Sequence, residues 1–535
     1  MTLPRKRPVV GGRHGAVASA HPLASQAGLD ILRDGGNAVD AVVTMAATLA
    51  VVEPYMSGPG GVGFLLLHRP GAAPRVLNYS GTSPTGAVPE AFDEESREVG
   101  PKSALVPANV AGWFEAIATE GTRSPADIFA AGIRHGRDGF PLHPANALFI
   151  DVARPRLNDV GQKVFGGLES RIGEIHVSTD LANTYARLVE EGPELFYTGE
   201  LGQRLADYIQ EQGGLITRED MANYRPEWED PIEVNYRGLT VRTPPPNNEG
   251  MQILETLKIL EGFDLASLGH NSTEYIHLLS EAIKLAVVDR IRWCGDPKFS
   301  PVPLDQLLSE AYAVAQRERI DHDRATLVEG ERWGGFREGD FLAPGKVDGL
   351  TTHLSAVDAE GNVASITQSL GNGFGSGVMI PDTGVLLNNF VYWTETDPAC
   401  TTPNRIEPGK RWSCCMAPVH VVDGEKFWFS IATPGSYGIL QTTMQMLLNI
   451  VEFGADVQAA IEAPRFRVWE DTRMQIEDRV PSDVRGALEI RGHALEDIGD
   501  FSPQVGGGQG VLVDPQSGAR LAGADPRRDG YALAY

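Results

Sequence analysis

Hydroxyl side chains face each other in a predicted β-hairpin of this chain. Residues 351–358 form one strand-like stretch, and a second returns after a short turn of Asp, Ala, Glu, Gly and Asn. Pairing Val357 with Val363 across the turn places the hydroxyl of Thr351 opposite that of Ser369, on one face of the sheet. A threonine hydroxyl with a second hydroxyl beside it is a candidate nucleophile. A one-residue slip would separate them, and threonine favours strands anyway, so the pattern alone favours a structural role.

A second candidate element is the loop 434–438, with the sequence Pro-Gly-Ser-Tyr-Gly, which precedes a predicted helix over 437–453. The first N–H groups of a helix lack intrahelical acceptors, and the positive end of the helix dipole lies there too. Such a loop can donate hydrogen bonds to a negatively charged oxygen. By themselves, these residues favour an ordinary helix-start turn over a functional loop.

Periodicity predicts the elements that must position these groups. Helices are expected near 23–34, 38–51, 250–260 and 272–293, and strands near 234–242, 384–387, 419–422 and 427–431. The change from helix-rich to strand-rich sequence falls after a polar, glycine-rich stretch at 321–350, the best linker candidate in the chain. Strand-rich sheets flanked by helices indicate a layered α+β fold.

The composition restricts what the chain can bind. A net charge of −25 argues against nucleic acid, which requires a basic surface. No apolar run reaches the length of a membrane span. The cysteines Cys294, Cys400, Cys414 and Cys415 have neither disulfide-framework nor metal-site spacing, and no HExxH or GxSxG motif occurs. We therefore expect a cytoplasmic protein with no metal, no cofactor, and no nucleic-acid or membrane partner.

Dispersed motifs along nearly the whole chain resemble those of the γ-glutamyltranspeptidase family, and they occur in the family's order. Those before residue 350 are 35–41 (Gly-Gly-Asn-Ala-Val-Asp-Ala), 214–217, 289–290 and 295–297. Those after it are 351–355 (Thr-Thr-His-Leu-Ser), 357–358, 361–362, 374–377, 386–389, 410–411, 416–418, 463–466 and 524–527. By this resemblance the sequence is identified as a member of the family.

The resemblance implies the four-layer αββα sandwich of N-terminal-nucleophile hydrolases. It also implies that the precursor cuts itself between Leu350 and Thr351. The large fragment would be residues 1–350, ending in the linker, and the small fragment residues 351–535. The two fragments would stay associated, and a homodimer of that pair is a further expectation.

Thr351 is the nucleophile that the resemblance implies, and the backbone amides of Gly435 and Ser436 form the implied oxyanion hole. A threonine hydroxyl is a poor nucleophile unless a base removes its proton. Cleavage would free the α-amine of Thr351, whose ordinary pKa lies near 8, so that amine can be the base without a histidine. Ser369 would assist it, and Thr352 is a candidate supporting residue.

The substrate-binding residues of the family are changed in this chain. γ-Glutamyl enzymes hold the α-carboxylate with an arginine of an Arg-Glu-x-x-Pro-like segment and with two serines. They hold the α-ammonium with a glutamine and an aspartate. The corresponding positions here are Ser80, Cys414, Cys415, Phe390 and Trp393. Burying both charges without partners would cost several kcal/mol each, so the acyl pocket is predicted to be apolar and aromatic.

Two further departures affect the reaction. The family's second amine-orienting asparagine aligns with Gly371, so Asn372 is the candidate replacement if the backbone bulges there. The loop 394–408 looks short for the lid that transpeptidases carry, which favours hydrolysis over transfer. Family members with altered clamps include cephalosporin acylases and oxamate amidohydrolase.

The leading hypothesis is a self-processing amidohydrolase that cleaves a small non-γ-glutamyl amide through an acyl-enzyme on Thr351. One alternative is a genuine γ-glutamyltranspeptidase or glutathione hydrolase, which would need clamp residues from elsewhere. Arg405 and Arg411 are the nearest candidates for that clamp. The alternative from a different class is an unprocessed, non-catalytic paralogue, motivated by the altered segment 369–371.

Overall fold

The computed structural model describes residues 3–326, 350–469 and 471–535. Their strands are β1 (Val10–Gly12), β2 (Ala16–Ser19), β3 (Val62–His68), β4 (Arg75–Tyr79), β5 (Phe140–Pro141), β6 (Ile175–His176), β7 (Glu227–Glu229), β8 (Ile232–Tyr236), β9 (Leu239–Thr243), β10 (Leu350–Val357), β11 (Val363–Gly371), β12 (Val419–Asp423), β13 (Lys426–Ala432), β14 (Phe466–Val468), β15 (Arg473–Ile476), β16 (Ala494–Asp497), β17 (Gln509–Val513), β18 (Arg520–Ala524) and β19 (Tyr531–Ala534).

The α-helices of the same residues are α1 (Pro22–Arg33), α2 (Ala38–Val52), α3 (Glu94–Glu98), α4 (Asn109–Glu120), α5 (Pro125–Asp138), α6 (Pro144–Ala153), α7 (Asp159–Phe165), α8 (Thr179–Glu191), α9 (Glu194–Tyr197), α10 (Glu200–Glu211), α11 (Arg218–Asn223), α12 (Met251–Leu260), α13 (Leu265–Leu268), α14 (Thr273–Trp293), α15 (Leu304–Leu307), α16 (Glu310–Arg317), α17 (Gly438–Val451), α18 (Val457–Glu462) and α19 (Ser482–Ile490). Of these helices, none is long and apolar enough to cross a bilayer.

Two seven-stranded sheets form the centre of the fold. The first has the order β1-β18-β17-β13-β12-β9-β8, and the second has the order β19-β2-β10-β11-β3-β4-β7. The sheets face each other, since Ser430 of β13 lies 2.6 Å from Ser365 of β11. Helix α2 packs on β10 and β11, while α17 packs on β13. The layers are therefore helix, sheet, sheet and helix, which confirms the predicted αββα sandwich.

The N-terminal end of helix α2 contacts the turn of the β10–β11 hairpin. Asn37 and Asp40 form a capping box at its start. The first N–H of the helix, from Ala38, is 3.0 Å from a carboxylate oxygen of Asp358 in the hairpin turn. Helix α2 is buried along its whole length, as its apolar sequence requires. The helix thus fixes where the hairpin lies in the second sheet.

The register of the hairpin is the predicted one. Val357 pairs with Val363, and Thr351 pairs with Ser369. Asp358 sets the turn by accepting hydrogen bonds from the N–H and the side-chain amide of Asn362, at 2.9 and 2.8 Å. Beyond Thr351 the ladder shifts, which creates a β-bulge that affects the candidate site.

Two strand predictions are wrong. The stretch 234–242 is a hairpin, because Arg237 and Gly238 both have positive φ, at +56° and +81°, and reverse the chain between β8 and β9. The stretch 384–387 forms only isolated bridges at Leu386 and Leu387. The predicted linker 321–350 falls mostly on residues 327–349, which lie outside the described residues.

A fully buried ion network holds the C-terminal part of the chain together. Arg527 donates to both oxygens of Glu477, at 2.9 and 2.7 Å, and to Asp525 at 3.1 Å. It also donates to the carbonyls of Ile461 and Ala463, both at 3.0 Å. Because no solvent reaches these groups, removal of the arginine would leave two buried carboxylates short of donors.

We expect Arg527→Met to lower the free energy of unfolding by about 3–5 kcal/mol, because removing one partner of a buried ion pair leaves the other charge buried and unpaired. Differential scanning calorimetry and urea denaturation would measure the loss. The matched control is Arg473→Met, because Arg473 is half exposed and pairs with Asp471 at the surface. Equal stability of the two variants would contradict the prediction.

Candidate active site

Ser369 joins the candidate nucleophile to the carbonyl group that precedes it. The Thr351 hydroxyl donates to Ser369 Oγ at 3.2 Å, and Ser369 Oγ donates to the carbonyl oxygen of Leu350 at 2.7 Å. The N–H of Gly371 donates to the same Ser369 oxygen at 2.8 Å. One buried hydroxyl can therefore accept a proton from Thr351 while it polarises the Leu350 carbonyl.

The β-bulge makes this arrangement possible. Leu350 pairs with Gly371, so Leu370 is an extra residue on β11, and its N–H donates instead to the carbonyl of Met56 at 2.9 Å. Gly371 has a φ of +104°, and a Cβ there would lie 2.1 Å from the side-chain oxygen of Asn389. Neither the backbone nor the space accepts the family's asparagine at this position.

Asn372 lies directly beyond the bulge and is fully buried. Its N–H donates to the side-chain oxygen of Asn389 at 2.9 Å. A bulge at Gly371 was the condition for Asn372 to replace the family's asparagine. The structure has this bulge at Leu370, one residue before Gly371. The role of Asn372 in orienting the Thr351 amine stays a prediction.

A ladder of buried polar side chains continues from this site between the two sheets. His353 contacts Thr367 at 2.9 Å through Nδ1 and Ser355 at 3.0 Å through Nε2. Burial lowers the pKa of His353 to about 3, so its imidazole is neutral. Both ring nitrogens are occupied by these hydroxyls, so His353 is not placed to act as a base for Thr351.

The order of contacts along β13 directs its end toward Thr351. Phe427 clusters with Val363 at the turn end of the hairpin, and Ser430, three residues on, contacts Ser365. The strand therefore runs toward the open end of the hairpin, where the threonine lies, and continues into the loop 433–437. Helix α17 begins at Gly438, which confirms the predicted helix start.

The loop presents unused donors. Gly435 and Ser436 have φ values of +129° and +55°, so the chain turns sharply before the helix. Their carbonyl oxygens accept from the N–H groups of Gly438 and Ile439, at 3.1 and 3.0 Å. Across the described residues, neither the Gly435 nor the Ser436 N–H has an acceptor. Two free donors at a helix N-terminus suit a developing oxyanion.

Aromatic side chains pack into a wall near the strand that carries Ser369. Phe390 stacks on Trp412, with ring centroids 4.4 Å apart, and Trp393 lies 5.5 Å from Phe390. Trp393 reaches the bulge, because a Cβ on Gly371 would lie 3.0 Å from its ring. These contacts connect the predicted pocket residues Phe390 and Trp393 to the strand that carries Ser369.

Ser80 belongs to the same region through Asn247. The side-chain amide of Asn247 donates to Ser80 Oγ at 3.0 Å and to the carbonyl of Trp412 at 2.7 Å. The indole N–H of Trp412 donates to the carbonyl of Ser80 at 2.9 Å. Ser80 therefore holds the aromatic wall in place and carries no charge for a carboxylate.

Cys414 and Cys415 are both buried. Cys414 is held through its main chain, by Asn247 and Glu249, and burial raises the pKa of its thiol well above the ordinary value. A neutral thiol replaces a serine hydroxyl with a weaker donor.

Arg411, a candidate clamp residue in the sequence, forms ion pairs with carboxylates of the chain itself. It pairs with Glu229 at 3.0 Å and with Glu227 at 3.2 Å. Arg97 was not among the predicted site residues, yet it begins an Arg-Glu-x-x-Pro sequence at 97–101. Its guanidinium donates to the carbonyls of Tyr392 and Thr394, on either side of Trp393. The short motif was visible in the sequence, but only the fold places it beside the pocket.

The chain matches the γ-glutamyltranspeptidase family model over residues 24–535. The chain belongs to the γ-glutamyltranspeptidase family. It is 35% identical to the acylase ACY 1 proenzyme of Pseudomonas sp. (strain SE83), over 99% of this chain and 95% of that protein. It is 33% identical to the glutathione hydrolase proenzyme of Bacillus subtilis (strain 168), over 98% of this chain and 92% of that protein.

Among solved structures, cephalosporin acylase from Bacillus halodurans superposes with a TM-score of 0.90 at 33% identity, over 99% of this chain and 98% of that one. The similarity establishes the N-terminal-nucleophile hydrolase fold. Membership of the γ-glutamyltranspeptidase family also establishes that the chain is an enzyme that acts on amide bonds. Its relatives divide between acylases and glutathione hydrolases, so the family does not by itself define the acyl group.

A protonated carboxyl group supports the strand from its other face. Thr352 donates to Glu53 at 3.2 Å, where helix α2 ends. Glu53 is completely buried, and this burial raises its pKa to about 8, against the lowering effect of the hydrogen bond from Thr352. Helix α2 thus contacts the hairpin at two places. Ala38 contacts Asp358 in the turn, and Glu53 contacts Thr352.

We expect Glu53→Gln to remove a pH dependence of stability. Between about pH 4.5 and pH 8 the folded chain keeps a proton that the unfolded chain has lost, so stability falls as pH rises. Glutamine has no such proton, so the variant should gain about 1.4 kcal/mol over the parent for each pH unit in this window. Urea denaturation at pH 5.5, 6.5 and 7.5 would measure the difference. A constant difference at all three pH values would contradict a neutral Glu53.

Proposed function

We propose that this chain is a self-processing amidohydrolase whose nucleophile is Thr351, exposed as an N-terminus by cleavage after Leu350. The observation that carries the proposal is the position of Ser369 Oγ, between the Thr351 hydroxyl and the Leu350 carbonyl oxygen. The large fragment would be residues 1–350 and the small fragment residues 351–535. Relatives named proenzymes support such processing.

Self-cleavage needs a route for the proton, because the Thr351 nitrogen is still an amide in the precursor and cannot act as a base. Thr351 Oγ attacks the Leu350 carbonyl carbon and gives its proton to Ser369, which passes its own proton to the carbonyl oxygen. Collapse breaks the C–N bond and returns that proton through Ser369 to the leaving nitrogen. The product is an ester between Leu350 and the Thr351 oxygen, and water hydrolyses it.

The mature reaction uses the new α-amine as the base. Thr351 Oγ attacks the substrate amide, and the N–H groups of Gly435 and Ser436 hold the oxyanion. Proton transfer from the amine to the leaving nitrogen gives an acyl-enzyme on Thr351. Water then releases the acid.

Substrate selection follows from the walls of the pocket. Phe390 and Trp393 are aromatic, Cys414 is neutral and Arg411 is paired with carboxylates. We infer an acyl group that lacks the α-ammonium and α-carboxylate of a γ-glutamyl group. The short loop 394–408 favours hydrolysis over transfer. The cytoplasmic location and the homodimer of fragment pairs stay predictions.

A γ-glutamyl hydrolase is the second candidate, and Arg97 is the observation that favours it. Its guanidinium lies at the turn that carries Trp393, which places a positive charge next to a predicted pocket residue. Its present hydrogen bonds to two carbonyls oppose this role.

For the processing step, we expect the purified chain to appear as two fragments whose masses match cleavage after Leu350. Thr351→Ala should stay a single chain of 57.7 kDa. Ser369→Ala should slow cleavage by about 10²-fold or more, because the proton relay is lost, whereas Ser369→Thr should restore it. Intact-mass spectrometry over time would follow the reaction, and parental cleavage in Ser369→Ala would refute the relay.

For specificity, we expect the enzyme to hydrolyse acetyl-, butyryl- or phenylacetyl-p-nitroanilide with a kcat/KM about 10²-fold above that for γ-glutamyl-p-nitroanilide. The reason is that a charged γ-glutamyl group would lose its hydration without gaining a charged partner. Thr351→Ala is the control for background hydrolysis.

Brisk turnover of γ-glutamyl-p-nitroanilide or glutathione would instead support the second candidate. In that case Arg97→Gln should abolish γ-glutamyl turnover and leave the simple acyl anilides unaffected. A chain that never cleaves and hydrolyses none of these amides would be the non-catalytic paralogue.

A further inference from the structure

Ser436 occupies a backbone conformation that glycine adopts more easily. Its φ of +55° lies in the left-handed region, which is unfavourable for a residue with a Cβ. The residue is also 4% exposed, so it is no surface turn where such a conformation is readily tolerated. Glycine would satisfy the path of the loop at lower cost, which indicates that the serine side chain itself has a use.

The Ser436 hydroxyl is buried without a partner. Within the described part of the chain, Ser436 Oγ makes no hydrogen bond. Burying an unsatisfied hydroxyl is costly, so its donor is available to a group that arrives with the substrate. The N–H of the same residue and that of Gly435 are also without acceptors.

We propose that the Ser436 hydroxyl is a third donor of the oxyanion hole, alongside the two backbone N–H groups. The inference rests on the proposed function, because it needs Thr351 as the nucleophile. As the Thr351 oxygen bonds to the amide carbon, the carbonyl π bond opens and its electron pair moves to the oxygen. The hydroxyl then donates to that negative oxygen without transferring its proton.

A third donor fits the uncharged pocket. Phe390 and Trp393 offer a substrate no charged group that would orient it. More of the lowering of the reaction barrier must therefore come from contacts that form only in the transition state. Donors aimed at the developing charge supply it there without strengthening binding of the ground state.

The test compares Ser436→Gly and Ser436→Ala with the parent, using two readouts. The first is kcat and KM on the acyl p-nitroanilide that the parent hydrolyses fastest. The second is the dissociation constant of butylboronic acid, whose boron bonds to the Thr351 oxygen and forms a tetrahedral anion like the reaction intermediate. Glycine removes the hydroxyl and relieves the backbone, whereas alanine removes the hydroxyl only.

We expect both variants to lose about 10²-fold in kcat, as when one oxyanion donor is removed, with KM within about threefold. Boronate affinity should fall about 10-fold or more in both. The Tm of Ser436→Gly should be equal or higher, and its cleavage after Leu350 should be normal, because the Leu350 oxygen is held by Ser369.

The matched control is Ser170→Gly, which removes a serine at almost the same φ, +54°, in the loop before β6. It should keep parental kcat and boronate affinity. Parental values in Ser436→Gly would overturn the inference and leave the proposed function intact. If the parent enzyme forms no boronate adduct, the inference and the proposed function are both overturned. The same holds if Thr351→Ala binds the boronate as tightly as the parent does.

Discussion

The structure of the candidate site depends on one hydroxyl group that contacts both the Thr351 hydroxyl and the Leu350 carbonyl. Ser369 Oγ accepts from Thr351 and donates to the carbonyl of Leu350, and both contacts require β10 and β11 to keep a single register. A slip by one residue would turn Ser369 to the opposite face of the sheet. The Asp358 turn prevents the slip at one end of the hairpin, and helix α2 contacts the hairpin near both ends, through Ala38 and Glu53.

The polar side chains between the two sheets extend this constraint to the loop 433–437. An interface between sheets is usually apolar, because a buried polar group must find a partner there. His353, Ser355, Ser365 and Ser430 satisfy one another across the interface. Their hydrogen bonds are complete in only one alignment of the sheets, so they determine where β13 ends and where the loop 433–437 lies relative to Thr351.

The same framework places the candidate catalytic residues and the predicted pocket residues on different elements. Thr351 and Ser369 lie on paired strands of one sheet, and the free N–H groups of Gly435 and Ser436 follow a strand of the other. The pocket wall is built instead from the 390–394 turn and the 412–415 segment, which are joined by aromatic stacking and by Asn247. Both acylases and glutathione hydrolases occur among the chain's relatives.

Much of this could be predicted from local sequence. Pairing across the Asp-Ala-Glu-Gly-Asn turn predicted the hairpin register that the structure has, although turn length alone did not exclude a slip of one residue. The Gly-Ser-Tyr-Gly loop predicted the start of helix α17 to within a residue. The motifs defined the family and its layers. The single strand predicted at 234–242 was wrong because hydrophobic alternation continued across the Arg237-Gly238 turn, where only the backbone φ values reveal the reversal.

From the sequence, turn spacing predicted the pairing of Thr351 with Ser369. The resemblance to the family predicted the layer order and the changed substrate-binding residues, because both follow from motifs that the chain carries. Tertiary structure alone decided the bulge at Leu370, the neutral Glu53 behind Thr352, the commitment of Arg411 to Glu227 and Glu229, and the position of Arg97 beside Trp393. These features depend on contacts between residues far apart in the chain, where burial sets the ionisation state and packing sets the space that each side chain can occupy.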